Sequence, residues 1–575
     1  YQDILTSRAQ TPAVAVPAVA AAPLTRFTSV GTDEIVFPSI AAAIGARPMQ
    51  EPTPRTWAQA QKMGEHWVHA TWEEVQSYID FGVIEPLDWS EIPQGKNIVD
   101  SKLIWKIKYN GDGTVDKYKA RLVVRGFTEV YGEDYHETFA PVSQLVTIRV
   151  LLALCLNFSI RPHHVDVKCA FLNSVLKEEV YMRLPTGFSI GGKKYGKVLK
   201  SVYGLKQAAH DWYETQHDFI MTHDSRLQQS CSDPCLYYLV SDDLVVFIST
   251  HVDDYVIGSS SDLWYDQFIA AFGARFEITD MGVVEHVLQM TVDWTADTCS
   301  IGQERQITEL LEKYDMRDHR PVQTPMEAGL YLFPCADSVL SSLPYRELLG
   351  ALLWLARCTR PDIFYAIIYL ARFSSCYGAT HYKALKRVLR YVGSTSHYRL
   401  RFTRSTSFMP SDLIPLLLYT DSDWAGDPAD RKSVSGVMGY VLGCLVCWDS
   451  KKQKTVALSS CESEYYAITD GAKWALHLID LVGQMLPVDV PVAMHIDNVG
   501  AGYMSQNAIN NQRTKHIDIR YHFIRHLLKI GVLELFYVDT KLNVSDVMTK
   551  PLSPEVFTRL VCTFMHTDVH EQSSG

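Results

Sequence analysis

The sequence predicts an α+β chain of several domains, closed by a separate α/β unit in its last third. Two observations carry this. Apolar strand patterns joined by turn residues recur through the first half, interrupted by single helices whose apolar residues return every three or four positions. After Pro415, strand and helix patterns alternate instead, which marks an α/β layer arrangement. The 575 residues, 47% of them hydrophobic, suffice for roughly three to four domain cores.

Residues 1–54 are rich in Ala, Pro and Thr and weakly periodic, which predicts a linker or disordered arm. Thr56 to Ile84 predicts a helix, with Trp57, Met63, Trp67 and Trp72 set among charged residues. Leu103 to Tyr109 and Tyr118 to Gly126 alternate apolar and basic residues about Asn110-Gly111 and Asp112-Gly113, a hairpin signal. Val142 to Phe158 predicts an apolar helix, His164 to Val167 a strand, and Asp211 to Met221 a helix. Leu236 to Val240 and Leu244 to Ile257 predict a second hairpin around Ser241-Asp242-Asp243. Asp262 to Phe272 reads as amphipathic helix, and 345–392 as helices with basic faces. The last unit runs from a strand at Leu416 to Ala425 through Val437 to Trp448 and a helix at Glu462 to Met485. A strand at Val492 to Asp497, a helix at Thr514 to Ile530, a strand at Leu533 to Val538 and a final helix complete it.

The 12 cysteines are mostly scattered singly. No disulfide framework is visible, so a reducing compartment is expected. Cys444 and Cys447 form a CxxC inside an apolar stretch without a second ligand pair, which favours buried strand cysteines over a zinc half-site. No segment reaches the roughly 18 uninterrupted apolar residues of a membrane span. The chain begins with Tyr1 and shows no signal-peptide pattern, which suggests a fragment or a processed polyprotein product. Net charge is −11, yet basic residues cluster locally. Ser101 to Thr128 holds seven Lys/Arg against two Asp, and Gly192 to Lys206 five Lys and no acid. His381 to Arg390 and Arg513 to Lys529 are similarly basic. Phosphate binding needs local basic surface, not a basic total.

Two sets of acids end apolar strands. Asp166 lies in Arg161-Pro-His-His-Val-Asp-Val-Lys-Cys-Ala-Phe171, and Asp253 and Asp254 in Phe247-Ile-Ser-Thr-His-Val-Asp-Asp-Tyr-Val-Ile257. Asp421, Glu464, Asp497 and Asp546 are spread over the last third. Carboxylates so placed are costly unless compensated, and a divalent metal is the usual compensation. Adjacent acids inside a strand repel unless neutralised. Two metal-carboxylate centres suggest two phosphate-transferring activities. Their order, three acids and then four, suggests a polymerase followed by a nuclease.

Longer motifs sharpen this. Lys117-Tyr-Lys-Ala-Arg-Leu-Val-Val-Arg-Gly-Phe127, Glu137-Thr-Phe-Ala-Pro-Val142, Asp166-Val-Lys-Cys-Ala-Phe-Leu-Asn173, Lys200-Ser-Val-Tyr-Gly-Leu-Lys-Gln-Ala208 and Ala457-Leu-Ser-Ser-Cys-Glu-Ser-Glu-Tyr465 resemble the reverse transcriptase of copia-type LTR retrotransposons. The resemblance runs from about Trp57 to Leu552, with the motifs in the family's order. It implies a right-hand polymerase with fingers, palm and thumb and a connection region, followed by an α/β RNase H-like domain. The expected boundaries are 55–300 for fingers and palm, 301–412 for thumb and connection, 413–555 for the RNase H-like domain and 556–575 for a tail.

The resemblance also assigns roles. Asp166, Asp253 and Asp254 would ligate the polymerase metals. Phe171 falls where reverse transcriptases keep an aromatic steric gate against the ribose 2′-OH. Lys106, Lys108, Lys119 and Arg121 are candidate triphosphate contacts on the fingers hairpin, without a choice among them, and Gln207 would line the nucleotide pocket. Asp421, Glu464, Asp497 and Asp546 resemble the ribonuclease H set. Glu464 is preferred to Glu462 because Glu464-Tyr-Tyr-Ala-Ile468 better matches the retroviral helix, and Tyr-x-Asp favours Asp421 over Asp423. Lys515 and His516 lie in a family signature, for hybrid binding or product release, or for a structural hydrogen bond. Two departures stand out. Residue 251 is His where Tyr is usual, and Ala209-His210 replaces Pro-Arg. They bear on efficiency or fidelity more than on chemistry. Beside two carboxylates, His251 is expected to be partly protonated near neutral pH.

Mg²⁺ is the expected metal, two ions per site, with Mn²⁺ an alternative, since all-oxygen ligands suit both. The implied partners are an RNA template, a DNA primer, RNA–DNA hybrid and dNTPs, an integrase from the same polyprotein, and a second copy if the chain dimerises; no membrane is among them. The implied location is cytoplasmic, within virus-like particles, with a nuclear phase. Two other classes compete: a decayed or domesticated nucleic-acid-binding protein, and a nuclease whose polymerase half is dead.

Overall fold

The computed structural model describes residues 52–109, 114–335, 343–405, 416–486, 491–506 and 518–567. The N-terminal arm, the loop residues Asn110 to Gly113, and Lys515 and His516 fall outside or almost wholly outside these ranges.

The helix expected over 56–84 is two helices, α1 (Trp57–Met63) and α2 (Glu65–Asp80). Gly64 separates them at φ 142°, a conformation other residues rarely adopt. Beneath them lies a five-stranded sheet of order β1-β6-β5-β2-β3. Its strands are β1 (Ile84–Leu87), β2 (Ile98–Tyr109), β3 (Val115–Val124), β5 (Val175–Arg183) and β6 (Tyr195–Lys200). The alternation read from sequence holds: Leu103, Trp105, Ile107, Ala120 and Leu122 are buried with Trp67 and Tyr78 of α2, and the basic residues take the other face.

A six-stranded sheet follows, of order β11-β4-β10-β9-β8-β7. It comprises β4 (His163–Val167), β7 (Gln228–Gln229), β8 (Leu236–Val240), β9 (Val245–His251), β10 (Asp254–Ser259) and β11 (Ile278–Val283). One face packs Phe247 and Val256 on α3 (Leu145–Asn157). The other packs Val246, Ile248, Tyr255 and Ile257 on α4 (Ala208–His223) and α5 (Asp262–Arg275). The single strand expected over Leu244 to Ile257 is therefore two antiparallel strands, with His251 paired to Asp254. A run buried on both faces carries no alternation to betray such a reversal.

The third sheet has order β12-β13-β14-β15-β21, from β12 (His286–Val287), β13 (Met290–Trp294), β14 (Thr298–Gly302), β15 (Arg399–Thr403) and β21 (Met565–His566). With it go α6 (Glu304–Lys313), α7 (Tyr345–Cys358), α8 (Phe364–Ala371) and α9 (Ala379–Ser394). Arg360 and Asp362, both buried, form a forked ion pair at 2.8–3.3 Å. Such a pair is costly to break from one side. The region expected as a tail opens in α13 (Pro554–Val561) and continues into β21.

The last sheet has order β18-β17-β16-β19-β20, from β16 (Leu416–Asp423), β17 (Val434–Val441), β18 (Cys444–Lys452), β19 (Val492–Ile496) and β20 (Leu533–Tyr537). β16, β17 and β18 form an antiparallel meander, and β19 and β20 add in parallel. Helix α10 (Ser460–Val482) packs on it, with α11 (Val499–Gln506) and α12 (Asp518–Lys529) beside α10. Arg149 of α3 joins this sheet to the rest. Its buried guanidinium donates to the carbonyls of Val446, Arg357 and Cys358 at 2.6–3.1 Å and lies over the Trp448 ring.

Candidate metal-carboxylate sites

β4 and β10 lie side by side with Asp166 opposite Asp254, and Asp253 occupies the turn leading into β10. Val252, also in that turn, has φ 60°, rare for a β-branched residue and strained by about 1–3 kcal/mol. Trp212 of α4 secures it: the indole N–H donates to the Val252 carbonyl at 2.5 Å. Buried His164 brings Nε2 to 3.0 Å from Asp254 Oδ1. Desolvation and the neighbouring Asp253 and Asp254 charges push the Asp166 carboxyl up. Desolvation and Asp254 do the same to Asp253. The cluster is short of positive charge, and its all-oxygen donor set fits a hard divalent cation. His251 corrects an expectation. Desolvation outweighs the pull of Asp254 and Asp253 and pushes the imidazole down, away from the expected protonation.

The β2–β3 hairpin turns its basic face to these acids. Lys106 pairs with Lys119, Ile104 with Arg121 and Lys108 with Lys117, so all four predicted triphosphate contacts share the face away from the core. Lys106, Lys108 and Arg121 are exposed and Lys119 is half-buried. Lys108 draws the Asp166 carboxyl down against its other neighbours, and Arg121 does so for Asp253. Phe171 sits in the 3₁₀ turn Ala170–Asn173, entered through Cys169 at φ 53°. Half-buried, it meets the edge of the Tyr203 ring with centroids 5.2 Å apart. Gln207 is turned inward: it is 1% exposed, and its amide donates to the Asp134 carbonyl at 2.9 Å.

In the second cluster Asp421, Asp497 and Asp546 each bring a carboxylate oxygen within 4.8 Å of the others. Parallel pairing of Tyr419 with His495 sets Asp421 and Asp497 level, two residues further on. The sequence order strand then final helix would put Asp546 at the start of that helix, but α13 begins only at Pro554. Asp546 lies in the 3₁₀ turn Val544–Met548, capped by Asn543, whose amide also donates to the Thr420 carbonyl at 3.0 Å. Glu464 accepts from Ser422 N–H through Oε1 at 3.1 Å, while its Oε2 is buried without a partner. Burial, with Asp421 and Asp497, pushes Glu464 well up; burial and Asp421 raise Asp497 and lift Asp546 to about 7. An orphaned carboxylate oxygen beside three converging acids fits a divalent cation. Glu462 instead accepts from Leu458 N–H at the start of α10, at 2.8 Å. Asp423 lies outside the close group of three.

Residues 86–328 match the reverse transcriptase (RNA-dependent DNA polymerase) family. The chain is 34% identical over 472 residues to the retrovirus-related Pol polyprotein from transposon TNT 1-94 of Nicotiana tabacum, covering 80% of this chain and 35% of that one. It is 33% identical over 528 residues to the Pol polyprotein from transposon RE1 of Arabidopsis thaliana, covering 90% and 35%. The chain belongs to the reverse transcriptase region of copia-type retrotransposon Pol polyproteins. It spans about a third of the length of these relatives. A foamy viral protease-reverse transcriptase in complex with dsDNA aligns over 86% of both chains at 10% identity and a TM-score of 0.47.

Sequence reading of this reverse transcriptase region missed Lys550. Its ammonium lies 2.8 Å from Asp546 Oδ1 and 3.5 Å from Asp421 Oδ2, and these acids push it well up. The i, i+4 spacing from Asp546 was the available signal. His164, Trp212 and Tyr203 were also passed over, since they reach their partners across tertiary contacts. Cys444 and Cys447 are buried in β18 with thiols pushed up to about 12, as expected of core residues. No helix among the described residues is long and apolar enough to cross a membrane.

Proposed function

We propose that this reverse transcriptase region copies RNA, and then DNA, into DNA at the Asp166–Asp253–Asp254 cluster, and cuts the RNA strand of the hybrid at the Asp421–Glu464–Asp497–Asp546 cluster. The observation that carries the reading is the pairing of Asp166 with Asp254, next to the Asp253 turn and under a basic hairpin. The first sheet would serve as fingers, the second as palm, and 301–412 as thumb and connection. The order of the last sheet supports an RNase H-like domain.

Divalent metal, Mg²⁺ by its preference for oxygen donors, would activate the attacking oxygen and stabilise the leaving one at each site. Asp166, Asp253 and Asp254 would hold it in the first, and Asp421, Glu464, Asp497 and Asp546 in the second. Lys106, Lys108, Lys119 and Arg121 form the basic face that would receive the dNTP triphosphate. Phe171 would exclude the 2′-OH. His251, its imidazole pushed down by desolvation, would pack against the turn. Template, primer and hybrid are the implied partners, with an integrase and a particle location following from the family reading alone.

Primer extension on poly(rA)/oligo(dT) and cleavage of a labelled RNA–DNA hybrid test the two halves separately. Extension lost in Asp253→Asn with cleavage retained supports the assignment. A wild-type chain with neither activity points to a binding protein, and cleavage alone to a dead polymerase half.

A further inference from the structure

Tyr203 is assigned no role by the reading above, yet it joins the two parts of the nucleotide site. Its half-buried ring meets Phe171 at 5.2 Å, with planes 64° apart. The Arg121 guanidinium lies 4.8 Å from the centre of the same ring, within cation–π range. Burial pushes its hydroxyl up, with Cys169 adding to this and Arg121 opposing it. The ring therefore lies between the hairpin and the aromatic after β4.

The backbone holds it there closely. Val124 N–H donates to the Tyr203 carbonyl at 2.8 Å. Gly204 follows at φ 97°, and a Cβ on it would collide with the Val124 carbonyl; a Cβ on Gly126 would collide with the Gly204 carbonyl. Two glycines thus let the loop abut the end of β3. Phe171 packs on the cores of both the first and the second sheet, so a shift of its neighbour would move it in a seam rather than in a rigid interior. Gln207 is turned inward, whereas the half-buried Tyr203 ring touches both Arg121 and Phe171.

We propose that Tyr203 is a positioning residue that sets sugar selection and triphosphate binding together, by fixing Phe171 through one ring contact and Arg121 through another. This rests on the polymerase reading. The test compares wild type, Tyr203→Leu and Tyr203→Phe in steady-state incorporation of one dNTP and its matched rNTP on one template. Tyr203→Leu is expected to raise the rNTP/dNTP ratio of kcat/KM by at least about tenfold. It is also expected to raise the dNTP KM several-fold more than it lowers kcat, since no metal ligand is touched. Tyr203→Phe keeps the ring and is expected to restore both values. If Tyr203→Leu melts below the assay temperature, Arg121→Met on the exposed strand face replaces it. That variant must shift the sugar ratio at least threefold, although Arg121 itself faces the phosphates. An unchanged ratio and KM in a folded Tyr203→Leu variant, with wild type active, overturn the inference and leave the polymerase reading standing. An inactive wild type overturns both.

Discussion

Replacing Asp546 by Asn tests the second cluster without an activity assay. The Asp546 carboxyl is lifted from 3.8 to about 7 by burial and by Asp421, against the opposing pull of Lys550. The folded protein thus binds a proton that the unfolded chain has released across that interval. Stability from this group is fully present below about pH 4 and is lost as pH rises through about 7. At roughly 1.4 kcal/mol per pH unit, the loss between pH 5 and pH 8 comes to about 2–3 kcal/mol. Asparagine cannot ionise, and its amide can donate to Asp421 as the protonated acid does. In EDTA, Asp546→Asn should therefore gain about 2–3 kcal/mol on wild type between pH 5 and pH 8. Equilibrium urea unfolding followed by tryptophan fluorescence reads this. Millimolar Mg²⁺ should stabilise wild type and remove most of the gain at pH 8, because only the intact acid set binds the ion. A stability difference that is the same at both pH values would refute the reasoning.

Three further outcomes are expected. Asp253→Asn or Asp254→Asn should lower primer extension by roughly 10³-fold or more while sparing hybrid cleavage; near-normal extension rejects the first cluster. Glu464→Gln should abolish cleavage, whereas Glu462→Gln should cleave and stay close to wild-type stability, since the glutamine amide oxygen still accepts from Leu458 N–H; the reverse pattern means the wrong acid was chosen. Phe171→Val should raise the rNTP/dNTP ratio of kcat/KM at least about tenfold, or roughly 1.4 kcal/mol, and an unchanged ratio returns Phe171 to a packing role.

What the sequence made legible was local. The basic face of β2 and β3 followed from alternation, whereas Glu462 and Glu464, two residues apart on α10, each accept one backbone N–H, from Leu458 and Ser422, so the helix pattern remains the ground for preferring Glu464. The break at Gly64 was open to reading, since glycine within a helical pattern invites one. The reversal at Val252 was not, because both flanking strands are apolar and buried on both faces. Asp546 misled because its 3₁₀ turn depends on Asn543 reaching the Thr420 carbonyl. The pairing of Leu400 with Met565 likewise joins segments that no local pattern relates. Lys550 and Tyr203 gain meaning only from what surrounds them.

Arg149 carries one more consequence. Its guanidinium is anchored on carbonyls of β18 and α7 while its helix backs the sheet that bears Asp166. A hinge cannot open there without stranding those carbonyls in a dry interior. On the proposed function, the two acid clusters would then act as the jaws of a fixed caliper on a bound duplex. Cuts in the RNA strand should fall at one set distance behind the growing primer end, whatever the length of hybrid supplied. Arg149→Met should blur that distance before it abolishes either reaction, and a spacing equally sharp in the variant would show that something other than this anchor sets the gauge.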